Sequence, residues 1–149
     1  MRFASLILAL LLAYPAQGKQ LCYSTLGQAH TSPIRLPDIL ILKDAPRRGL
    51  WAQRNDRELD WIGPQDKKRY GRGSFWKRDG DRLLVIFGNG FSGLRLALTP
   101  MGKTLIGTAT YYADVPTPPS PYNIKLLPVK CSSHRSNNSF KPKPLRGSA

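Results

Sequence analysis

Histidine and cysteine, the residues behind much acid–base and metal chemistry, are scarce in this sequence. The 149 residues include two histidines, His30 and His134, and two cysteines, Cys22 and Cys131, at spacings that do not suit metal ligation. Ser92 lies in the sequence GFSG, which differs from the G-x-S-x-G turn of serine hydrolases, and no histidine is near it in sequence. The sequence therefore predicts a protein that is not an enzyme and that uses no metal and no cofactor.

Closely spaced acids are the remaining candidates for chemistry. Asp56, Glu58 and Asp60 alternate along the chain, so in a strand they would share one face. Such a set suits a glycosidase-like or metal-binding use. Arg54 and Arg57 stand beside them, however, and favour surface ion pairs instead.

A long hydrophobic run is also missing. The one marked apolar stretch is residues 6–13, which is too short to span a bilayer. It follows Arg2 and precedes Ala16 and Gly18, the small residues that a signal peptidase prefers before a cut at Lys19. The sequence predicts a signal peptide at residues 1–18, a secreted or periplasmic protein, and no transmembrane anchor after cleavage. A buried N-terminal helix and a lipid-modified Cys22 are the alternatives.

Both cysteines belong to the part of the chain that remains after cleavage. In an oxidising compartment, Cys22 and Cys131 are expected to form one disulfide, and two buried thiols are the alternative. A bridge that closes a loop of about 100 residues stabilises a domain by roughly 4 to 5 kcal/mol in the entropic model. The bridge would bound a single domain at residues 19–131. Residues 132–149 are polar and basic and are predicted to be a disordered tail.

Acidic residues are few. Nine acids stand against 23 lysines and arginines, a net charge of +14 that becomes +13 when Arg2 leaves with the signal peptide. Such an excess attracts polyanions, although an ordinary solvated basic surface is the simpler interpretation. Export makes intracellular nucleic acid an unlikely partner and favours an anionic envelope component. The predicted polyanion-binding residues are six cations interleaved with aromatic residues in 66–78: Lys67, Lys68, Arg69, Arg72, Lys77 and Arg78.

No helical period runs through the chain, and the best helix candidate, residues 66–74, is broken by Gly71 and Gly73. Residues 87–93, FGNGFSG, carry the spacing G-x-G-x-x-G, which in a dinucleotide-binding loop must be followed by a helix. In this chain Leu94, Leu96 and Leu98 come next and alternate with other residues, which is a strand period. The glycines are therefore predicted to turn a hairpin.

Three turns, at Asp79-Gly80, at Asn89-Gly90 and at residues 99–102, predict four strands between residues 74 and 112. The predicted pairs are Trp76 with Leu83, Val85 with Leu94, and Leu96 with Leu105. This register places one set of side chains on a single face: Trp76, Leu83, Val85, Phe87, Leu94, Leu96, Leu98, Leu105, Gly107, Ala109 and Tyr111. The other face is polar except at Phe75, Leu84, Ile86 and Ile106.

Four more strands are predicted at residues 38–43, 49–54, 59–63 and 122–131. Seven or eight sequential antiparallel strands close into an up-and-down barrel or fold over as a sandwich. The meander favours an all-β barrel with the disulfide beside its closing seam. Residues 115–123, VPTPPSPYN, form a proline-rich connection that no central strand could cross.

The segment Gly49-Leu50-Trp51 resembles the G-x-W motif in the first strand of lipocalins. An exported meander barrel with a disulfide is also similar to the wider calycin group and to small barrel inhibitors of secreted bacterial proteases. The resemblance implies that Trp51 packs across the bottom of the barrel.

The inward face suggests a binding role. Gly107 and Ala109 remove volume from it, and either a tryptophan fills that gap or the barrel holds a small apolar ligand. The predicted ligand-binding residues are Trp51, Trp61, Trp76, Gly107, Ala109 and Tyr111. The leading hypothesis is a calycin-like protein that binds a small apolar ligand or a secreted partner protein. The alternatives are an inhibitor of a secreted hydrolase, acting through residues 115–123, and a polyanion-binding or envelope-binding protein.

Overall fold

Eight antiparallel strands make up most of residues 19–28 and 32–131, the part of the chain that the computed structural model describes. Each strand pairs with its neighbours in sequence, and the first pairs with the last, so the sheet is a closed barrel. The predicted all-β barrel is confirmed. The strands are β1 (Gln20–Ser24), β2 (Ile39–Pro46), β3 (Arg57–Ile62), β4 (Phe75–Asp79), β5 (Arg82–Gly88), β6 (Gly93–Met101), β7 (Thr104–Tyr112) and β8 (Tyr122–Val129).

The barrel closes at a short seam between β1 and β8. Three residue pairs, including Cys22 with Val129, form this seam, whereas nine pairs join β6 and β7. The predicted disulfide between Cys22 and Cys131 is present, with Cα atoms 5.3 Å apart. It links the two ends of the barrel beside its short closing contact, across a sequence separation of 109 residues. The crosslink therefore stabilises a seam that few backbone pairs hold.

The hairpins predicted between residues 74 and 112 are present, but their registers differ from the predicted ones. The observed pairs are Trp76 with Val85, Val85 with Leu96, and Leu96 with Ala109. Each differs from the predicted pair by two or four residues. Because side chains alternate between faces with a period of two, an even displacement keeps every residue on its predicted face. The inward face is confirmed and the predicted registers are wrong.

Glycine position within the turns explains two of these shifts. Asp79 pairs with Arg82, so the two central turn residues are Gly80 and Asp81. Gly80 has a φ of 59°, and no residue other than glycine has a positive φ in the part of the chain that is described. Glycine in the first central position is the type II′ arrangement, whereas the sequence interpretation placed it second. Gly102, with a φ of 62°, follows the same rule between β6 and β7.

The inward side chains fill the barrel around Phe87. The ring of Trp61 meets the Phe87 ring edge-on at 5.2 Å between centroids, and the Tyr70 ring stacks on it at 5.0 Å. Tyr70 ends a helix of one turn, α1 (Lys67–Tyr70), in the β3–β4 connection. Asp66 caps this helix by accepting a hydrogen bond from the Lys68 N–H, and Gly71 follows it. The sequence predicted that glycines break this segment, and the structure retains one helical turn of it before Gly71.

One predicted strand is absent, and one observed strand was not predicted. Residues 49–54 form a connection between β2 and β3 and not a strand, and Gln20–Ser24 is a strand that the sequence analysis did not identify. The chain reverses early because Gly49, with a φ of 130°, opens a turn closed by a hydrogen bond from the Ala52 N–H to its carbonyl. The predicted signal peptide at residues 1–18, the predicted tail at 132–149, and both histidines lie outside the described residues.

Candidate functional site

Two of the three tryptophans are core residues. Trp61 and Trp76 are 2% and 6% exposed, and each satisfies its indole N–H with a backbone carbonyl. Trp61 donates to Gln65 at 3.2 Å, and Trp76 donates to Lys43 at 3.0 Å. Tyr111, also predicted to contact a ligand, is half-buried against the same core. These contacts account for the three side chains by packing alone.

The gap that was predicted at Gly107 and Ala109 contains no space for a ligand beside Gly107. A Cβ atom built on Gly107 would lie 1.8 Å from the carbonyl oxygen of Ala97 on the neighbouring strand β6. The missing side chain is therefore replaced by backbone that approaches closely. Ala109 is fully buried. We conclude that Gly107 allows β6 and β7 to approach one another closely, and the interior ligand site stays a prediction.

Trp51 does not line the barrel, and the position that the lipocalin-like G-x-W motif implies for it is wrong. Its side chain is 87% exposed, and that of Leu50 is 97% exposed. Both side chains project from the turn that begins at Gly49, because they occupy its two central positions. Their apolar character had suggested a strand, but the turn presents them to solvent.

An ion pair holds this turn in place. Arg47 and Asp56 stand at the two ends of the β2–β3 connection, with Nη1 and Oδ2 3.3 Å apart and the Asp56 side chain 2% exposed. The same carboxylate accepts a hydrogen bond from the Gln53 N–H. Arg47 also donates to the carbonyl of Arg72 and lies over the ring of Phe75, with 4.6 Å from Cζ to the centroid. The connection is thus anchored to the outer wall of the barrel.

A second turn presents another aromatic side chain. Phe91, in the β5–β6 connection, is 90% exposed. Asn89 fixes this turn, since its Oδ1 accepts hydrogen bonds from the N–H groups of Phe91 and Ser92 at 3.0 and 2.8 Å. Its own N–H donates to the Ser92 carbonyl. We refer to Leu50, Trp51 and Phe91 as the exposed tips.

Between the tips lies a groove of about 540 Å³ on the outer wall. Phe75 and Ile86, paired across β4 and β5, form its floor, and Trp51 and Phe91 line its sides. We call this the apolar groove. Its floor consists of two of the residues that interrupt the polar pattern of the outward face. These apolar residues on the outward face were the sequence signal for the groove. The side chains that line its sides come from two turns, which the sequence did not predict to be adjacent.

A second concavity adjoins the apolar groove. This basic cleft has a volume of about 480 Å³ and is lined by Arg47, Arg48, Gly49, Leu50, Trp51 and Arg72. Arg48 and Arg72 form no salt bridge with any residue that the structure describes, in contrast to Arg47. The exposed tips therefore stand next to two cations whose charge is available for an anion.

The six cations predicted to bind polyanions have different surroundings. Arg72 lines the apolar groove and the basic cleft, whereas Arg78 lies in a separate cleft with Lys19 and Asp44. Lys77 is half-buried on β4. Lys68 and Arg69 are exposed on α1. That these six cations act together on a polyanion stays a prediction.

Lys67 belongs to an ion-pair cluster. Its ammonium group donates to Asp60, whose other carboxylate oxygen accepts from Lys43 at 2.9 Å. Burial raises the pKa of Asp60, but the hydrogen bonds from Lys67, Lys43 and the Trp61 N–H outweigh it and lower that pKa to about 2. The cluster ties α1 to β2 and β3. Asp60 offsets one of the two ammonium charges, so Lys67 contributes less to attracting an anion than Arg72, which forms no salt bridge in the described residues.

The acids Asp56, Glu58 and Asp60 do not gather into a site. Asp56 pairs with Arg47, and Asp60 pairs with lysines, so two of the three serve in ion pairs. In the described residues, no group of three or more histidine, cysteine, aspartate or glutamate side chains is arranged to hold a metal ion. No helix in the same part of the chain is long and apolar enough to cross a membrane.

No protein family model, curated protein or solved structure matches this chain.

Proposed function

We propose that this is an exported, non-catalytic binding protein that attaches to an anionic lipid surface through its exposed tips. One observation carries the proposal. Three large apolar side chains, each at least 87% exposed, project from two hydrogen-bonded turns beside two arginines that form no salt bridge in the described residues. This role requires no catalytic group. The calycin-like resemblance and the export signal remain predictions that are consistent with it.

The exposure of the tips calls for a partner that removes them from water. Burying a large apolar side chain is worth about 1.5 to 3 kcal/mol, so three such side chains offer several kcal/mol of binding energy. Tryptophan and phenylalanine suit the boundary between lipid headgroups and acyl chains. Because the turns hold the tips in position before binding, little conformational entropy is lost when they insert.

Charge supports an anionic rather than a neutral surface. The whole chain carries +14, and Arg48 and Arg72 lie within the cleft beside the tips. A basic residue near an anionic lipid surface contributes about 1 kcal/mol at physiological ionic strength. Apolar insertion and electrostatic attraction would therefore act at the same face of the barrel. The disulfide fits an oxidising compartment, where envelope lipids are accessible.

Vesicle sedimentation tests the proposal. The protein should bind vesicles of phosphatidylglycerol and phosphatidylcholine more tightly than vesicles of phosphatidylcholine alone, and added salt should weaken the difference. Trp51→Ala combined with Phe91→Ala should lower the partition coefficient at least about 10-fold, since two of the three tips are removed. Residues 1–18 include an apolar stretch that could itself bind vesicles. They are the same in all variants, so they cannot cause a difference in binding between variants.

Leu127→Ala is the matched control. Leu127 is also an exposed apolar residue, but it lies on β8, across the barrel from β4. Its loss should leave vesicle binding unchanged. An equal effect of the control and the tip variants, or no binding to anionic vesicles by the parent protein, overturns the proposed function. A protein partner for the tips would then be the surviving interpretation.

A further inference from the structure

The apolar groove and the basic cleft share three lining residues. Trp51 lines both, together with Arg47 and Arg72. The groove extends from Trp51 over the floor of Phe75 and Ile86, while the cleft extends from it toward Arg48. An elongated molecule that contacted both would have an apolar part on one side of Trp51 and a charged part on the other.

The two concavities differ in chemistry. Phe75, Ile86, Trp51 and Phe91 make much of the groove apolar, and Arg47 and Arg72 line it where it adjoins the cleft. In the cleft, Arg47 is engaged by Asp56 and by the carbonyl of Arg72, so it is not available to bind a further anion. The guanidinium groups of Arg48 and Arg72 have no acidic partner among the described residues and are suited to phosphate.

We propose that the two concavities together bind one anionic lipid molecule, with its phosphate between Arg48 and Arg72 and an acyl chain in the apolar groove. This inference rests on the proposed attachment to anionic lipid and specifies which part of the surface recognises a single lipid. The volume of the apolar groove, about 540 Å³, falls within the roughly 300 to 1,000 Å³ of small-molecule sites. The apolar ligand expected inside the barrel is thereby placed on its outer wall.

Binding of a monomeric lipid tests this inference apart from membrane attachment. The probe is dihexanoyl-phosphatidylglycerol below its critical micelle concentration, and the readout is tryptophan fluorescence. Trp51 is the exposed tryptophan, whereas Trp61 and Trp76 are buried, so a saturable change should report on the site. Replacing Trp51 by Phe should remove most of the fluorescence change.

Two related probes separate the parts of the ligand. Dihexanoyl-phosphatidylcholine keeps the chains but has no net charge, and glycerol 3-phosphate keeps the phosphate but has no chain. Each should bind at least about 10-fold more weakly than the anionic lipid. Equal binding of glycerol 3-phosphate would show that the groove is not used. Equal binding of the neutral lipid would show that the arginines are not used. Either result overturns the inference.

Two substitutions test two parts of the site: one removes a proposed phosphate ligand, and the other makes the apolar floor polar. Arg72→Gln should weaken binding of the monomeric lipid about 10-fold. Ile86→Thr should have a similar effect, because it keeps a β-branched residue in the strand but makes the floor polar. Ile106→Thr is the control, since Ile106 is an exposed residue on β7 outside both concavities.

Comparison with vesicle binding distinguishes the two proposals. If vesicles bind through the exposed tips but the monomeric lipid shows no saturable binding, the single-lipid site is wrong and the proposed function stands. If neither binds, the proposed function fails as well. Saturable monomer binding that Ile86→Thr and Arg72→Gln weaken, while Ile106→Thr does not, supports the site.

Discussion

Arg47 holds the buried carboxylate of Asp56 across nine residues of chain, with Nη1 3.3 Å from Oδ2. The same guanidinium lies over the ring of Phe75, 4.6 Å from its centroid. A single side chain thus joins the ends of the β2–β3 connection and packs on Phe75 in the floor of the apolar groove. Trp51 lies within this connection, in the turn that begins at Gly49, and is 87% exposed.

Arg47→Met is therefore expected to destabilise the protein strongly. It leaves Asp56 buried without a cation, and breaking a buried ion pair on one side costs about 3 to 5 kcal/mol. Urea unfolding measures the free energy. Arg57→Met is the matched control, because Arg57 pairs with the exposed Asp44, where the loss should be below about 1 kcal/mol. Equal effects of the two variants would contradict the anchoring role of Arg47.

Gly107→Ala is expected to destabilise the barrel through a steric clash. The new Cβ would meet the carbonyl oxygen of Ala97 at 1.8 Å, and backbone cannot move aside as a flexible side chain can. We expect a loss of about 3 kcal/mol or more in the free energy of unfolding, since overpacking alone typically costs about 1 to 3 kcal/mol.

The control for this substitution is Gly102→Ala. Gly102 has a positive φ of 62° but open space around it, so alanine there should cost about 1 to 3 kcal/mol of backbone strain without a steric clash. Thermal and urea unfolding of both variants separate the two effects. A stable Gly107→Ala variant would indicate space on the inward face and would restore the interior ligand site.

The inward face was predictable because it depends on alternation alone. Leu94, Leu96 and Leu98 alternate whichever residues they pair with. Each predicted pairing was displaced from the observed one by an even number of residues, which leaves the faces unchanged. The exact pairs depend on whether glycine takes the first or second central turn position, which the dipeptide Asp79-Gly80 does not decide.

The binding surface was less predictable. Leu50 and Trp51 have the apolar, β-favouring character of strand residues, and nothing local indicates that they lie in a turn. They are exposed because they occupy the central positions of the turn that begins at Gly49, in a connection whose ends the Arg47–Asp56 ion pair joins. Ile86 is an apolar residue on a face that is otherwise mostly polar. Its place in one strand does not show which side chains from other parts of the chain surround it.

The Asp60 cluster predicts a dependence of stability on pH. The pKa of Asp60 is about 2 in the folded protein and 3.8 in its unperturbed state. Because the pKa of Asp60 is lower in the folded state, its carboxylate stabilises the fold at pH values above the pKa of the unfolded state. This contribution is lost as pH falls from about 5 to about 2. The difference in pKa corresponds to about 2 kcal/mol of stability at most. The actual contribution is smaller, because the Lys67 side chain is 59% exposed and solvent screens its charge.

Asp60→Asn should reduce the slope of stability against pH in that interval. Urea unfolding at several pH values from about 6 to about 2.5 measures it, across the range where the carboxylate takes up its proton. Asp81→Asn is the comparison, since Asp81 lies in the exposed β4–β5 turn and outside the salt bridges of the described residues. An unchanged slope in Asp60→Asn would show that other carboxylates cause the acid sensitivity.

Asn89→Ala separates the position of an exposed tip from its chemistry. The substitution leaves Phe91 in place but removes the oxygen that accepts hydrogen bonds from the N–H groups of Phe91 and Ser92. We expect a stability loss of about 1 kcal/mol, because both N–H groups can bond to water.

Binding to anionic vesicles should fall about 3-fold in Asn89→Ala, since a turn that samples several conformations must be ordered again when Phe91 inserts. Asn89→Asp keeps an acceptor oxygen and should restore the stability, although its negative charge opposes anionic lipid. Lipid binding as tight as that of the parent protein in Asn89→Ala, with Phe91 still required, would mean that the side chain inserts without a preformed turn. The rigidity of the β5–β6 connection would then have no part in attachment.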